Sequence, residues 1–253
     1  EFPELSGIIG TADFGSIVDV IKIIDKEFVS KVSEKPDYIY PENIERQQIT
    51  MGASSYLKIA EGCSYRCGYC IIPYLRGDYH SRTIENVVEE AKKLVKKGVT
   101  EIILIAQDTT SYGIDIYKKP SLPKLLEELN KIEGLGWIRF MYAYPTHLDD
   151  ELLDAIANLD KVVKYVDIPL QHSHPEVLKL MNRPSFDYRP MIENIRNRIP
   201  NVSIRTAFIV GYPGETEEHF EHLCQFVRDM KFDRMGVFKY SREKGTPSYM
   251  LPN

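Results

Sequence analysis

The stretch SRTIENVVEEAKKLVKKGVTEIILIAQ, Ser81 to Gln107, joins two patterns that together decide the fold. Up to Gly98, the residues Ile84, Val87, Val88, Ala91, Leu94 and Val95 share one face at a 3.6-residue period. Thr83 is placed to cap that segment and Gly98 to stop it, which predicts an amphipathic helix. Glu101 to Gln107, EIILIAQ, is a short continuous apolar run of the kind expected for a strand buried on both faces. A helix that feeds a buried strand is half of a βαβ unit.

The rhythm recurs on both sides. Further strands are predicted at Tyr56–Ala60, Trp137–Ala143, Tyr165–Leu170, Ser203–Val210 and Arg234–Tyr240. Helices are predicted at Leu122–Ile132, Asp149–Leu159, Pro175–Met181, Tyr188–Ile199 and Thr216–Met230. Parallel strands joined by right-handed crossovers form an open doubly wound sheet or curl into a barrel. Six units are too few for a closed eight-fold barrel, so an open sheet or a partial barrel remains. Ahead of them, Phe14–Asp25 reads as a helix and residues 31–50, polar with two prolines, as a linker.

The composition, 43% hydrophobic and 27% charged over 253 residues, supports a large core and excludes disorder and coiled coil. A net charge of -5 gives no global attraction to nucleic acid, so nucleic acid is not an expected partner. The basic run Ala91–Lys97 sits beside Glu89 and Glu90 and reads as a solvated helix face. No apolar run approaches the roughly 18 residues of a membrane span, and EFPELSGIIG lacks a secretion-signal pattern. No membrane partner is expected, and a cytoplasmic location is.

Three of the four cysteines, Cys63, Cys67 and Cys70, are spaced C-x-x-x-C-x-x-C at the end of the first predicted strand. In a reducing compartment such a cluster reads as metal ligands or redox groups. A structural zinc site wants four ligands, and so, generally, does an electron-transfer cluster. Cys224 shares a helix face with Phe220, Val227 and Met230 and reads as a small buried hydrophobe, while His80 stays open as a fourth ligand. Three thiolates on a four-iron cluster would leave one iron free to chelate a small molecule.

This motif, with Tyr69 before its third cysteine, resembles that of the radical S-adenosylmethionine (radical SAM) superfamily. The stretches YLKIAEGCSYRCGYCIIPYLRGDYHSR and RTAFIVGYPGETEEHF, beginning at Tyr56 and Arg205, resemble its methylthiotransferase family. The resemblance runs from about Met51 to Ser248. It implies a partial parallel (βα)6 TIM-like barrel of the radical SAM type, with a 4Fe-4S cluster on Cys63, Cys67 and Cys70 as metal ligands and catalytic residues. It implies S-adenosylmethionine as cofactor, cleaved to a 5′-deoxyadenosyl radical with an electron from an external one-electron reductant. WIRFMYAYP, VDIPLQHSHPEVLKLMNRP and RMGVFKYS resemble the branch that methylthiolates the β-carbon of an aspartate in a small-subunit ribosomal protein. The alternatives are the branch acting on adenosine in transfer RNA and, outside enzymes, a non-catalytic iron-sulfur or zinc module.

Members also carry an N-terminal domain holding a second 4Fe-4S cluster and a C-terminal β-barrel module. Residues 1–30 are accordingly expected to be the tail of a truncated N-terminal methylthiotransferase domain, 31–50 a linker and 51–253 the radical SAM domain. The second cluster is expected only in the full-length enzyme.

For the remaining site residues the resemblance implies roles that compete with plainer ones. Tyr69 would face the adenine or pack within its loop. Gln107, Asp108 and Thr109 would bind the methionine amino group or cap the next turn. Arg205 would pair with the methionine carboxylate or with a structural acid; Arg139, like it, needs an anion. Ile209, Val210 and Gly211 would offer backbone to the adenine, or form a plain strand-to-helix turn in which Gly211 and Gly214 supply the bend. Gln171 and His172 would touch ribose or substrate, with a structural role for His172 as the alternative. His174, His219 and His222 read as solvated faces.

Overall fold

A computed structural model of the chain describes residues 3–33, 49 and 52–252. Six parallel strands form the frame: β1 Ser54–Lys58, β2 Glu101–Ile105, β3 Trp137–Phe140, β4 Tyr165–Asp167, β5 Ser203–Val210 and β6 Arg234–Lys239. β1, β2 and β3 pair in that order, with Leu57 opposite Leu104 and Leu104 opposite Phe140. β4, β5 and β6 form a second parallel set, also in chain order.

Backbone bonds stitch the two sets together: Ile138 N–H donates to Lys161 O at 2.8 Å and Ala143 N–H to Asp167 O at 2.8 Å. A parallel sheet that runs in chain order and keeps curving is a partial barrel, so the open doubly wound sheet is excluded. β6 pairs only with β5 and leaves its other edge unpaired among the described residues.

Six outer helices cover the frame: α1 Ile84–Lys96, α2 Leu122–Asn130, α3 Asp150–Asn158, α4 Pro175–Leu180, α5 Arg189–Arg198 and α6 Glu217–Met230. Four of the six, α1, α3, α4 and α6, begin at an N-cap side chain that accepts an orphan N–H. Thr83 Oγ1 accepts from Asn86, Asp149 from Leu152, and Thr216 forms a reciprocal box with His219.

β5 shows how the layers divide. Ile204, Thr206 and Phe208 are buried toward the helices, whereas Arg205, Ala207 and Ile209 face the barrel interior, as the two-residue period of a strand requires. Leu57, Ile102, Leu104, Ile138 and Val166 are fully buried between sheet and helices, and truncating one to Ala costs ~2–5 kcal/mol.

The predicted strands run one to three residues past the observed ends in five of the six, because apolar residues continue into loops that line the interior. Phe14–Asp25 is not one helix: a 3-10 turn at Phe14–Ser16 leads into a single short helix at Ile17–Ile21. Gly7–Ile9 pairs in parallel with Val29–Lys31. Most of the predicted linker, residues 34–48 and 50, lies outside the described residues. Among the described residues no helix is long and apolar enough to cross a membrane.

Candidate functional site

The cysteine loop leaves β1 through a short antiparallel pair, Ala60–Glu61 against His80–Ser81, which ties its two ends together. Gly62 turns the chain at φ +77°, and a Cβ there would lie 2.1 Å from Asp78 O, so only glycine fits. Cys63 N–H donates to Gly77 O at 3.0 Å, Cys70 N–H to Cys67 O at 3.0 Å, and Arg66 pairs with Asp78 at 2.6 Å.

Two distant segments hold the middle of the loop. Gly68 N–H donates to Met181 O at 2.8 Å, and Asn182 Nδ2 donates to Arg66 O at 2.8 Å. Ser248 N–H closes the clamp on Gly68 O.

Cys63, Cys67 and Cys70 carry free thiols on the wall of one cavity of about 710 Å3. That volume is ample for a cofactor-sized ligand. Burial pushes the Cys63 thiol up to about 11, reinforced by the neighbouring thiols, and raises Cys70 as well. Without metal these groups are neutral; a bound cation supplies the charge that makes them thiolates.

Two buried polar atoms at the cavity lack any hydrogen-bond partner: Gln107 Oε1 and Arg183 Nε. Gln107 is held from its other end, where Nε2 donates to Glu61 Oε1 at 3.0 Å. Three sulfur donors without a fourth cysteine or a histidine on the described wall fit a three-cysteine cluster and leave a closed zinc tetrahedron incomplete. The orphan acceptor and donor fit a polar ligand beside it.

Tyr69, Gln107, Asp108, Gln171, Arg205 and Ile209 share this wall with the cysteines. The Asp108 carboxylate, however, is engaged within its own turn. It accepts from Thr110 N–H at 2.8 Å, Thr110 Oγ1 at 2.6 Å and the Ser111 hydroxyl. The capping alternative describes it, and Thr109 likewise bonds Met141 O at 2.7 Å.

Val210 and Gly211 lie past the cavity wall. Gly211 takes φ +73°, and its N–H is held by the Glu215 carboxylate, which also accepts from Tyr212 N–H at 3.0 Å. Arg205 pairs with Asp167 at 2.8 Å while still lining the cavity, and Arg139 pairs with Glu101 at 2.9 Å away from it.

His172 is fully buried. Its Nδ1 accepts from His174 N–H at 3.0 Å, so Nε2 carries the proton and faces Glu215 at 3.4 Å. It is a structural group.

His174 and His219 are not plain solvated faces. With Glu176 they bring three potential ligand atoms within 4.8 Å of one another. Yet His174 Nδ1 accepts from Glu176 N–H and His219 Nδ1 from Thr216 N–H, both at helix starts. The protonated Nε2 of His219 then meets Glu176 at 3.3 Å, which satisfies this pair without a metal.

Sequence reading missed Arg183, Tyr65 and Tyr144. Tyr65 and Tyr144 stack at 3.7 Å between centroids, and Arg183 lies over Tyr144 at 4.5 Å. Their only signal was local: aromatic residues inside the cysteine loop and after β3, and an arginine in MNRP, where periodicity says nothing.

The model of one family, the Radical SAM superfamily, matches residues 57–227. The chain is 54% identical over 254 residues to the Ribosomal protein uS12 methylthiotransferase RimO of Thermoanaerobacter sp. (strain X514), covering 99% of this chain and 58% of that protein. It is 51% identical over 256 residues to the protein of the same name from Acaryochloris marina (strain MBIC 11017), again 58% of the relative. The chain thus spans less than two thirds of the curated relatives it matches.

Among solved structures, the radical S-adenosylmethionine methyltransferase TsrM from Kitasatospora setae superposes with a TM-score of 0.66 at 19% identity, over 87% of this chain and 44% of that one. Coproporphyrinogen III oxidase (HemN) from Escherichia coli gives 0.55 at 20%, over 79% and 48%. These two share the fold.

Proposed function

The chain belongs to the Radical SAM superfamily, and from that premise we propose that it is the S-adenosylmethionine-cleaving core of a methylthiotransferase acting on an aspartate of ribosomal protein uS12. The observation that carries this is the convergence of three thiols, and no fourth soft ligand on the described wall, upon a cavity with unpartnered polar atoms. The named activity of the relatives supplies the substrate. A substrate made into ribosomes places the enzyme in the cytoplasm.

When bound, a 4Fe-4S cluster supplies an iron open to S-adenosylmethionine and the single electron its cleavage needs. Cys63, Cys67 and Cys70 would hold it as thiolates. Gln107 Oε1, fixed by the bond to Glu61, presents an acceptor suited to an ammonium group. Arg205, anchored by Asp167, presents a guanidinium suited to a carboxylate. The stacked Tyr65 and Tyr144 rings cover one wall and exclude water from it.

Anaerobic loading with iron and sulfide tests the reading. About four irons per chain, and 5′-deoxyadenosine formed with dithionite and S-adenosylmethionine, support it. Zinc on these cysteines with no iron uptake would overturn it. For the substrate, a methylthio mass gain on uS12 rather than on transfer RNA, given the full-length enzyme, is the expected result.

A further inference from the structure

Arg183 is a cation set into the cavity wall beside Cys67, Cys70 and Tyr69. Its contacts are with neutral groups. Nη2 donates to Pro169 O at 2.6 Å, the guanidinium lies 4.5 Å from the Tyr144 ring centroid, and Nε is buried with no hydrogen-bond partner. Among the described residues no carboxylate pairs with it. A half-buried cation with a buried, unpartnered Nε and no counter-charge is unfavourable, so the site is built for an anion that no carboxylate among the described residues provides.

The placement of Arg183 shows where that anion belongs. The residues just before it are fastened to the cysteine loop, through Gly68 N–H to Met181 O and Asn182 Nδ2 to Arg66 O. The guanidinium therefore keeps a fixed position relative to the thiols. Tyr69 lines the same stretch of wall.

We propose that Arg183 is the counter-charge of the cluster thiolates, a positioning residue that stabilises the Cys67 and Cys70 thiolates and raises the reduction potential of the loaded site. This rests on the reading of the chain as a radical SAM core. One electron from an external one-electron reductant enters the site without a proton, so the site becomes more negative by one charge. A fixed cation nearby favours that more negative state. The role operates before S-adenosylmethionine binds, which separates it from binding of the methionine carboxylate.

The test is a redox titration of the loaded chain, without S-adenosylmethionine, comparing wild type with Arg183→Met and Arg183→Lys, alongside iron content and thermal melting. In Arg183→Met the ratio of reduced to oxidised sites at a fixed potential is expected to fall about tenfold, a midpoint about 59 mV more negative for a one-electron couple. Arg183→Lys, which keeps the charge, is expected to lie nearer wild type. A folded Arg183→Met that takes up no iron while Arg183→Lys does would also support the proposal. An unchanged midpoint in Arg183→Met overturns it, as does a Lys variant shifted as far as the Met variant or a Lys variant that, like Met, takes up no iron although folded. Failure of wild type itself to take up iron overturns the underlying reading instead.

Discussion

Ser248 donates its backbone N–H to the carbonyl of Gly68 at 2.9 Å, joining the segment after the last strand to the loop after the first. Ser248 is fully buried, and its hydroxyl accepts from Tyr240 at 2.8 Å. Gly68 cannot grow a side chain in this clamp. A Cβ would lie 2.5 Å from the Tyr212 hydroxyl and 3.2 Å from Leu180 O.

Gly68→Ala is therefore expected to destabilise the fold by ~1–3 kcal/mol through overpacking. Urea unfolding measures it. Adding Tyr212→Phe removes the obstructing hydroxyl, so the two changes should be less costly together than their sum, with a coupling of about 0.5 kcal/mol or more. Strict additivity would mean that the close approach does not limit this loop.

The four cysteines should separate cleanly. Cys63→Ala, Cys67→Ala and Cys70→Ala are each expected to abolish the visible absorbance of the iron-loaded chain. Cys224→Ala should retain it, because Cys224 sits half-buried on α6 and off the cavity wall. Absorbance surviving in any of the first three variants contradicts the ligand assignment.

Cys63 gives a pH dependence. With its thiol pushed up to about 11 by burial, the metal-free chain should be alkylated slowly at neutral pH, and the rate should climb about tenfold per pH unit through pH 9 without levelling. Mass spectrometry of the Cys63 peptide reads the rate. A plateau near pH 9, as for an exposed thiol, would contradict the burial of this group.

Glu215 sets an acid limit on the turn after β5. Burial alone would raise its carboxyl, but the hydrogen bonds from His172 and from the Tyr212 and Gly211 N–H groups outweigh that and hold it below the usual range. A depressed folded value contributes stability that is present above the ordinary value of 4.5 and is lost as pH falls through the folded value. Glu215→Gln is expected to cost ~1–3 kcal/mol at neutral pH and to flatten this part of the acid dependence. Equal losses of stability at neutral and acid pH would argue against the linkage.

The sheet was legible where burial on both faces writes itself as an apolar run: Ile102–Ile105 needs no tertiary information to be found, and Ile204–Val210 is interrupted only by Arg205 and Thr206. Their exact ends were less legible, since Ala106, Ala143 and Leu170 are apolar for a different reason, as parts of loops rather than of the ladder. The three thiols could be located from spacing alone. The competing roles of Asp108, Arg205 and His172 could not be decided from spacing, because each turns on a partner distant in sequence or on a local turn: Thr110 and Ser111, Asp167, and Glu215. Arg183 had no periodic signature at all; its meaning lies in having no carboxylate partner among the described residues.

The clamp on Gly68 also sets a schedule. During synthesis the three cysteines appear long before Met181 or Ser248 exists, so their loop cannot take its final shape until the sixth strand and the turn beyond it are in place. Contacts between such remote segments form late, because closing the intervening chain must come first. Iron encountered before Ser248 is made would meet three unwalled thiols open to oxidation, whereas iron delivered afterwards meets a finished cavity. Maturation of the site follows the synthesis of Ser248, and a chain halted before Ser248 is expected to retain less iron than one carried through it.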